Sequence, residues 1–329
     1  MDKIALAPAV LAVILALDVA PAHAINTKSY VSSFGSNANT CATPANACAT
    51  FSHAVSQTIP GGEVTVVDTG NYDTSMLIDR SISITNDGAG EASIVVPPLA
   101  TGMRVLAGAG DVISLRGLVI DGQVFGGIGI LFDFASALHI QNCVIRNFEG
   151  SASSYGIDFE PVGNAQLFIS DSIVFNNGNG PDSGGIKMRA ITGIATVGNA
   201  NAVLDRVHLE NNVTGLRVDG NFATGNGIHV VVRDSVLAGN AANGIHAVTT
   251  AGKAPAFAFV ERSSLVNNMG NGILADGPGA TVLLRESTIT RNGAGVGTSN
   301  GGQLISFGNN ANANNIGPEG TATGFRSAF

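Results

Sequence analysis

The stretch AFVERSSLVNN, residues 258–268, decides the fold, because the chain writes it again and again. LHIQNCVIRN (138–147), LFISDSIVFNN (167–177), AVLDRVHLENN (202–212), VVVRDSVLAGN (230–240) and VLLRESTITRN (282–292) share its form. That form is apolar, x, apolar, x, x, small, x, apolar, then Asn. A second signature, Gly followed by an aliphatic, falls between these copies. It occurs at Gly129, Gly156, Gly185, Gly215, Gly244, Gly272 and Gly295, with steps of 27, 29, 30, 29, 28 and 23 residues. A fixed period in this range marks an array of supersecondary units. Each unit is two or three short strands with turns, so the coils must stack to bury their apolar faces.

Period-two alternation then assigns the faces. Ile130, Ile157, Ile186, Leu216, Ile245 and Ile273 point inward, as do Phe132, Phe159, Met188, Val218, Ala247 and Ala275 two residues on. A third inward column is Ile145, Val174, Leu209, Leu237, Leu265 and Ile289. The small-residue column puts Cys143 in line with Ser172, Val207, Ser235, Ser263 and Ser287, so Cys143 reads as a buried core residue. Asn147, Asn177, Asn212, Asn240, Asn268 and Asn292 follow a strand at a fixed offset. Asn tolerates the left-handed backbone of a sharp corner, and stacked amides can hydrogen-bond along the axis.

Outside the repeat the chain divides into four parts: a signal peptide (1–24), an N-terminal cap segment (25–60), a parallel β-helix (61–310) and a C-terminal tail (311–329). The first 24 residues carry an apolar run and the cleavage pattern Ala22-His23-Ala24, which predicts export. Pro8, Asp18 and Pro21 make that run a poor membrane span, and no other segment is long and apolar enough for one. Cleavage after Ala24 predicts a protein that is secreted or periplasmic, with no membrane span. FSHAVSQTI (51–59) has helical spacing and predicts a short helix capping the first coil, ended by Pro60-Gly61-Gly62. Cys41 and Cys48, close together in an exported chain, predict a disulfide.

The net charge of −8 and the lack of a basic run argue against nucleic acid as a partner. Only 12% of residues are charged, yet charges gather on one outward face. One column runs Leu131, Asp158, Lys187, Arg217, His246, Leu274; another runs Asp133, Glu160, Arg189, Asp219, Val248, Asp276. Coils stack about 4.8 Å apart, so neighbours in a column touch. Two readings stand. In the first, Asp133, Asp158, Glu160, Lys187, Arg189, Arg217 and Asp219 bind an acidic polymer, with Asp133 and Glu160 sharing a proton or holding Ca²⁺. In the second, Asp158 with Lys187, and Glu160 with Arg189 and Asp219, form a salt-bridge ladder. Both readings leave Lys187 facing outward and tolerant of substitution, unlike Ile186 beside it.

CATPANACATFSHAVSQTIPGGEVTVVDTGNY (41–72), SISIT (81–85), the Gly-Ile and Asn coils, and the late LISFGNN and NNIG resemble a known family. They look like exported bacterial right-handed parallel β-helix proteins of the pectate-lyase-like superfamily. The resemblance implies an all-β solenoid, and it implies that an outward-facing sheet is where active members hold substrate. It does not assign an activity, because this fold hosts lyases, hydrolases, adhesins and spacers. The paired-aspartate, Gly-His-Gly and Arg-Ile-Lys motifs of polygalacturonases are absent; Gly227-Ile228-His229 and Gly244-Ile245-His246 are the nearest. No pectate-lyase calcium motif stands out. Trp is absent and Tyr numbers three, which thins any sugar-stacking platform. The expectation is a protein that contacts extracellular carbohydrate or a surface polymer. The alternatives are a polysaccharide lyase or glycosidase acting on an acidic polysaccharide, and a structural or adhesive module.

Overall fold

Short β-branched runs separated by tight corners can only stack, and they do. The computed structural model describes residues 25–191 and 199–327; the expected signal segment, 1–24, lies outside them. Each regular coil contributes one strand to each of three parallel sheets. Tyr155–Phe159, Ala165–Ser170 and Ile173–Phe175 make one such coil. The sheets hold 9, 12 and 10 strands respectively. They are called here the charged sheet, the long sheet and the narrow sheet.

The inward columns are as the alternation predicts. Ile130, Ile157, Ile186, Leu216, Ile245 and Ile273 are wholly buried, and Phe132 stacks on Phe159 with centroids 4.3 Å apart. Cys143 is buried in the core. The recurring glycine has a packing cause. A Cβ on Gly215 would lie 2.6 Å from the Gly244 carbonyl oxygen, and one on Gly244 equally close to that of Gly272. Neither has a positive φ, so close approach between coils, not backbone freedom, requires glycine there.

The corners show that turning and laddering belong to different residues. Asn176, Asn211 and Asn267 take the left-handed conformation, with φ of 54°, 53° and 56°. The next residue in each coil carries the ladder. Asn177 Nδ2 donates to Asn212 Oδ1 at 2.9 Å, Asn240 to Asn268 at 2.8 Å, Asn268 to Asn292 at 2.8 Å and Asn292 to Asn315 at 3.0 Å. Each acceptor also takes the backbone N–H of the preceding ladder residue, as when Asn240 N donates to Asn268 Oδ1 at 3.1 Å. Asn147 does not belong to this column, contrary to expectation. It is the turning residue, with φ of 62°, and Phe148 holds the ladder position, its N–H donating to Asn177 Oδ1. The last amide, Asn315, donates from Nδ2 to the Glu319 carboxylate.

The other corner uses hydroxyls. Val207 N–H donates to Ser235 Oγ at 3.0 Å, Ser235 N–H to Ser263 at 3.2 Å, and Ser263 N–H to Ser287 at 3.1 Å. The residues before them, Arg206, Asp234, Arg262 and Glu286, hold φ between 45° and 53°.

The first coil is capped as expected. The helix Phe51–Gln57 buries Phe51, Ala54 and Val55, and the Thr50 side chain accepts from His53 N–H. Cys41 and Cys48 form the disulfide, with Cα atoms 5.0 Å apart. The helix stops at Gln57, before Pro60-Gly61-Gly62, which lie inside the strand Thr58–Val66. Residues 25–60 also supply the long sheet's first strand, Asn26–Val31, and residues 311–329 supply the short strands Ala311–Asn312 and Gly324–Phe325.

Candidate functional site

The charged sheet brings the expected columns into register. Asp158 pairs across to Lys187, Lys187 to Arg217, and Arg217 to His246. Lys187 Nζ lies 2.8 Å from Asp158 Oδ2 and 2.9 Å from Glu160 Oε1. It also sits over the Tyr155 ring, 4.6 Å from the centroid. Arg189 bonds Glu160 on the far side and stacks on Phe222 at 4.3 Å. Arg217 turns away from this group. It meets Asp219 at 3.1 Å and Asp182 at 3.5 Å, and its Nη1 donates to His246 Nδ1 at 3.4 Å. So Asp219 pairs with Arg217, not with Arg189 as the ladder reading had it.

Lys187 and Asp158 do face away from the core, but they are not exposed. Each is 3% accessible. Asp182 and Phe222, from neighbouring coils, complete the cover: the first accepts from Tyr155 Oη at 3.1 Å, the second lies over Arg189. The expectation of a tolerant, solvent-facing Lys187 therefore fails, because outward on a solenoid means only outside the coil.

Burial sets the protonation behaviour. Loss of water pushes the Asp158 carboxyl up to about 6 in spite of Lys187. Burial, with Arg217 beside it, pushes His246 down to about 4. On the charged sheet, among the described residues, three buried polar atoms find no hydrogen-bond partner: Asp158 Oδ1, Arg189 Nε and His246 Nε2. His246 is thus a largely covered imidazole that burial holds neutral, although its column faces outward.

This donor set does not fit calcium. Asp133 is answered by Arg104 at 2.5 Å, and Glu160 by Lys187 and Arg189. Asp133 and Glu160 are not an unrelieved pair. Among the described residues, the cluster with metal-ligand spacing is Cys41, Cys48 and His53, whose two sulfurs are spent in the disulfide.

A second outward face went unread in the sequence. On the long sheet His139, Phe168, Val203, Val231, Phe259 and Leu283 fall into one column. The His139 and Phe168 rings stack 4.7 Å apart at 12°. Gln166, Asn201 and His229 run beside them on one flank, and Ser170, Asp205 and Arg233 on the other. The signal was present at the second letter of each repeat copy, as His139, Phe168, Val203, Val231, Phe259 and Leu283.

The family described as the right-handed β-helix region matches residues 105–289. The chain belongs to that family. Among solved structures, pectate lyase Pel9A aligns with a TM-score of 0.64 at 16% identity, over 92% of this chain and 79% of its own. An alginate lyase from Paenibacillus sp. str. FPU-7 aligns with a TM-score of 0.55 at 13% identity, over 92% and 98%. At such identity the likeness is one of fold. No curated protein matches the chain. Among the described residues, no helix is long and apolar enough to cross a membrane.

Proposed function

We propose that this β-helix is an exported protein that holds extracellular carbohydrate or another surface polymer without cutting it. The observation that carries this reading is the closure of the charged sheet. Lys187, a residue type that could act as a base, is buried against Asp158, Glu160 and Tyr155. A base must reach the proton it takes, so a covered and paired lysine is a poor one. The disulfide supports an oxidising compartment, and the two lyases of like fold support carbohydrate as the class of partner.

One observation favours a second reading, a lyase or glycosidase acting on an acidic polysaccharide. Asp158 has an unpartnered oxygen and a proton held near pH 6, the range of a general acid. Incubation with uronic-acid and neutral polysaccharides, with and without Ca²⁺, separates the two. The expected outcome is retention of polymer with neither new double bonds nor new reducing ends. Cleavage that disappears in Asp158→Asn would replace this reading with the second. A protein that retains no polymer would leave the structural or adhesive module.

A further inference from the structure

The long sheet's outer face differs from the charged sheet in being open. Two shallow clefts of about 320 and 210 Å³ lie along it, and Phe168 and Val203 border both. The first is closed by His139, Gln141, Asp205 and Arg233, the second by Gln166, Asn201, His229 and Val231. Side chains on the central column are half-buried, whereas Gln141, Gln166 and Asn201 beside it are exposed. Such a surface alternates apolar ring faces with amide donors and acceptors at a spacing of roughly 4.8 Å, one strand per step. Sugar rings have the matching character, with C–H faces and hydroxyl edges, and one strand step is comparable with the rise of one residue in an extended glycan.

The rim charges decide the class of glycan. Asp205 is met by Arg233 at 3.0 Å and Arg206 at 2.5 Å. Glu261 is met by Arg262 at 3.1 Å and Arg285 at 3.5 Å. Each cation of this rim already faces a carboxylate, so a uronate gains no free partner there. Burial also lowers the His139 imidazole below its ordinary value, which disfavours a charge on the stacked ring.

We propose that the outer face of the long sheet binds an uncharged polysaccharide, laid across Phe168 with its hydroxyls bonded to Gln166, Asn201 and Gln141. This rests on the carbohydrate-holding function above and names its site and ligand class. It places recognition on a different face from the charged one.

The test is co-sedimentation of the intact protein with insoluble glucan, mannan and xylan, and affinity electrophoresis through polygalacturonate and alginate. At least one uncharged polymer is expected to bind, with little dependence on salt. Phe168→Ala is expected to weaken that binding about tenfold, through loss of a stacking face. Asn201→Ala, at an exposed residue, repeats the test without disturbing packing. Phe222→Ala, on the charged face, is expected to leave binding unchanged. Uncharged polymer bound equally by Phe168→Ala and Asn201→Ala would overturn the site while leaving carbohydrate holding in place. Binding of acidic polymers alone, weakened by salt, would overturn the ligand class. Concentration-dependent self-association abolished by Phe168→Ala would make the face a contact between copies and overturn the proposal. Retention of no polymer at all would overturn the function itself.

Discussion

The charged sheet and the long sheet are built on one repeat, yet their outer faces have opposite fates. Phe168 and Lys187 both point out of the coil, one residue from a buried aliphatic neighbour. Phe168 stays half-open, while Lys187 is buried against a tyrosine ring and two carboxylates. Residue type alone would assign them the other way round. The difference lies in the connections. The long sheet leads into the narrow one through a two-residue corner, Asp171 and Ser172 in one coil. The charged sheet is flanked by longer turns, and these return Asp182 and Phe222 over the ions. On a solenoid, loop length decides exposure at least as much as polarity does.

The largest effects fall where the two faces of the charged strand meet. Ile186→Asp and Lys187→Asp are each expected to cost about 4 kcal/mol or more, since both leave unpaired charge out of water. Urea midpoints measure this, and a Lys187→Asp within about 1 kcal/mol of wild type would show that the charged face is open after all. Lys187→Met, which removes only the cation, is expected to cost about 3–5 kcal/mol.

Proton linkage comes next. His246 titrates near 4 when folded and at 6.5 ordinarily, so its contribution is complete above pH 6.5 and lost as pH falls towards 4. Asp158 titrates near 6 when folded against 3.8 ordinarily, so its ionisation removes stability as pH rises between those values. The two oppose one another, each worth on the order of 2–3 kcal/mol. His246→Gln is therefore expected to lose stability as pH rises from 4 to 6, and Asp158→Asn to gain it. Melting curves across that window check the signs, and parallel profiles for the two variants would dismiss the network.

Smaller effects belong to the open face and to metal. Phe168→Ala is expected to cost only about 1 kcal/mol, because half of the ring already meets water. Calcium is expected to leave the melting temperature unchanged, since Arg104, Lys187 and Arg189 already answer Asp133 and Glu160. A calcium-dependent rise that vanishes in Asp133→Asn would show that these pairs open to admit the ion.

What was legible in the sequence was whatever each coil repeats by itself. Inward columns, the capping helix and the disulfide need only local pattern, and all are found. The Asn column was read one place early in its first coil, at Asn147, because letters do not distinguish the residue that turns from the residue that ladders. The closure of Lys187 was illegible for a different reason. It comes from Tyr155 and Asp158 on the neighbouring strand and Glu160 just after it, while Asp182 and Phe222, which reach Tyr155 and Arg189, lie in turns of unequal length with no shared spacing. The aromatic column was written in the repeat, but Val203, Val231 and Leu283 share it with Phe168 and Phe259, and such letters do not distinguish an outer face from a core one.

Glu319 gives the amide ladder an end. Each asparagine both accepts and donates, so the column alone places no limit on its own length. A carboxylate accepts and passes nothing on. Any further coil stacked on this end would meet lone pairs where the stacking rule demands an N–H, together with a negative charge to desolvate. Parallel solenoids otherwise invite growth from their open ends into filaments. One acidic side chain thus acts as punctuation: it closes a column of amides that could otherwise run on.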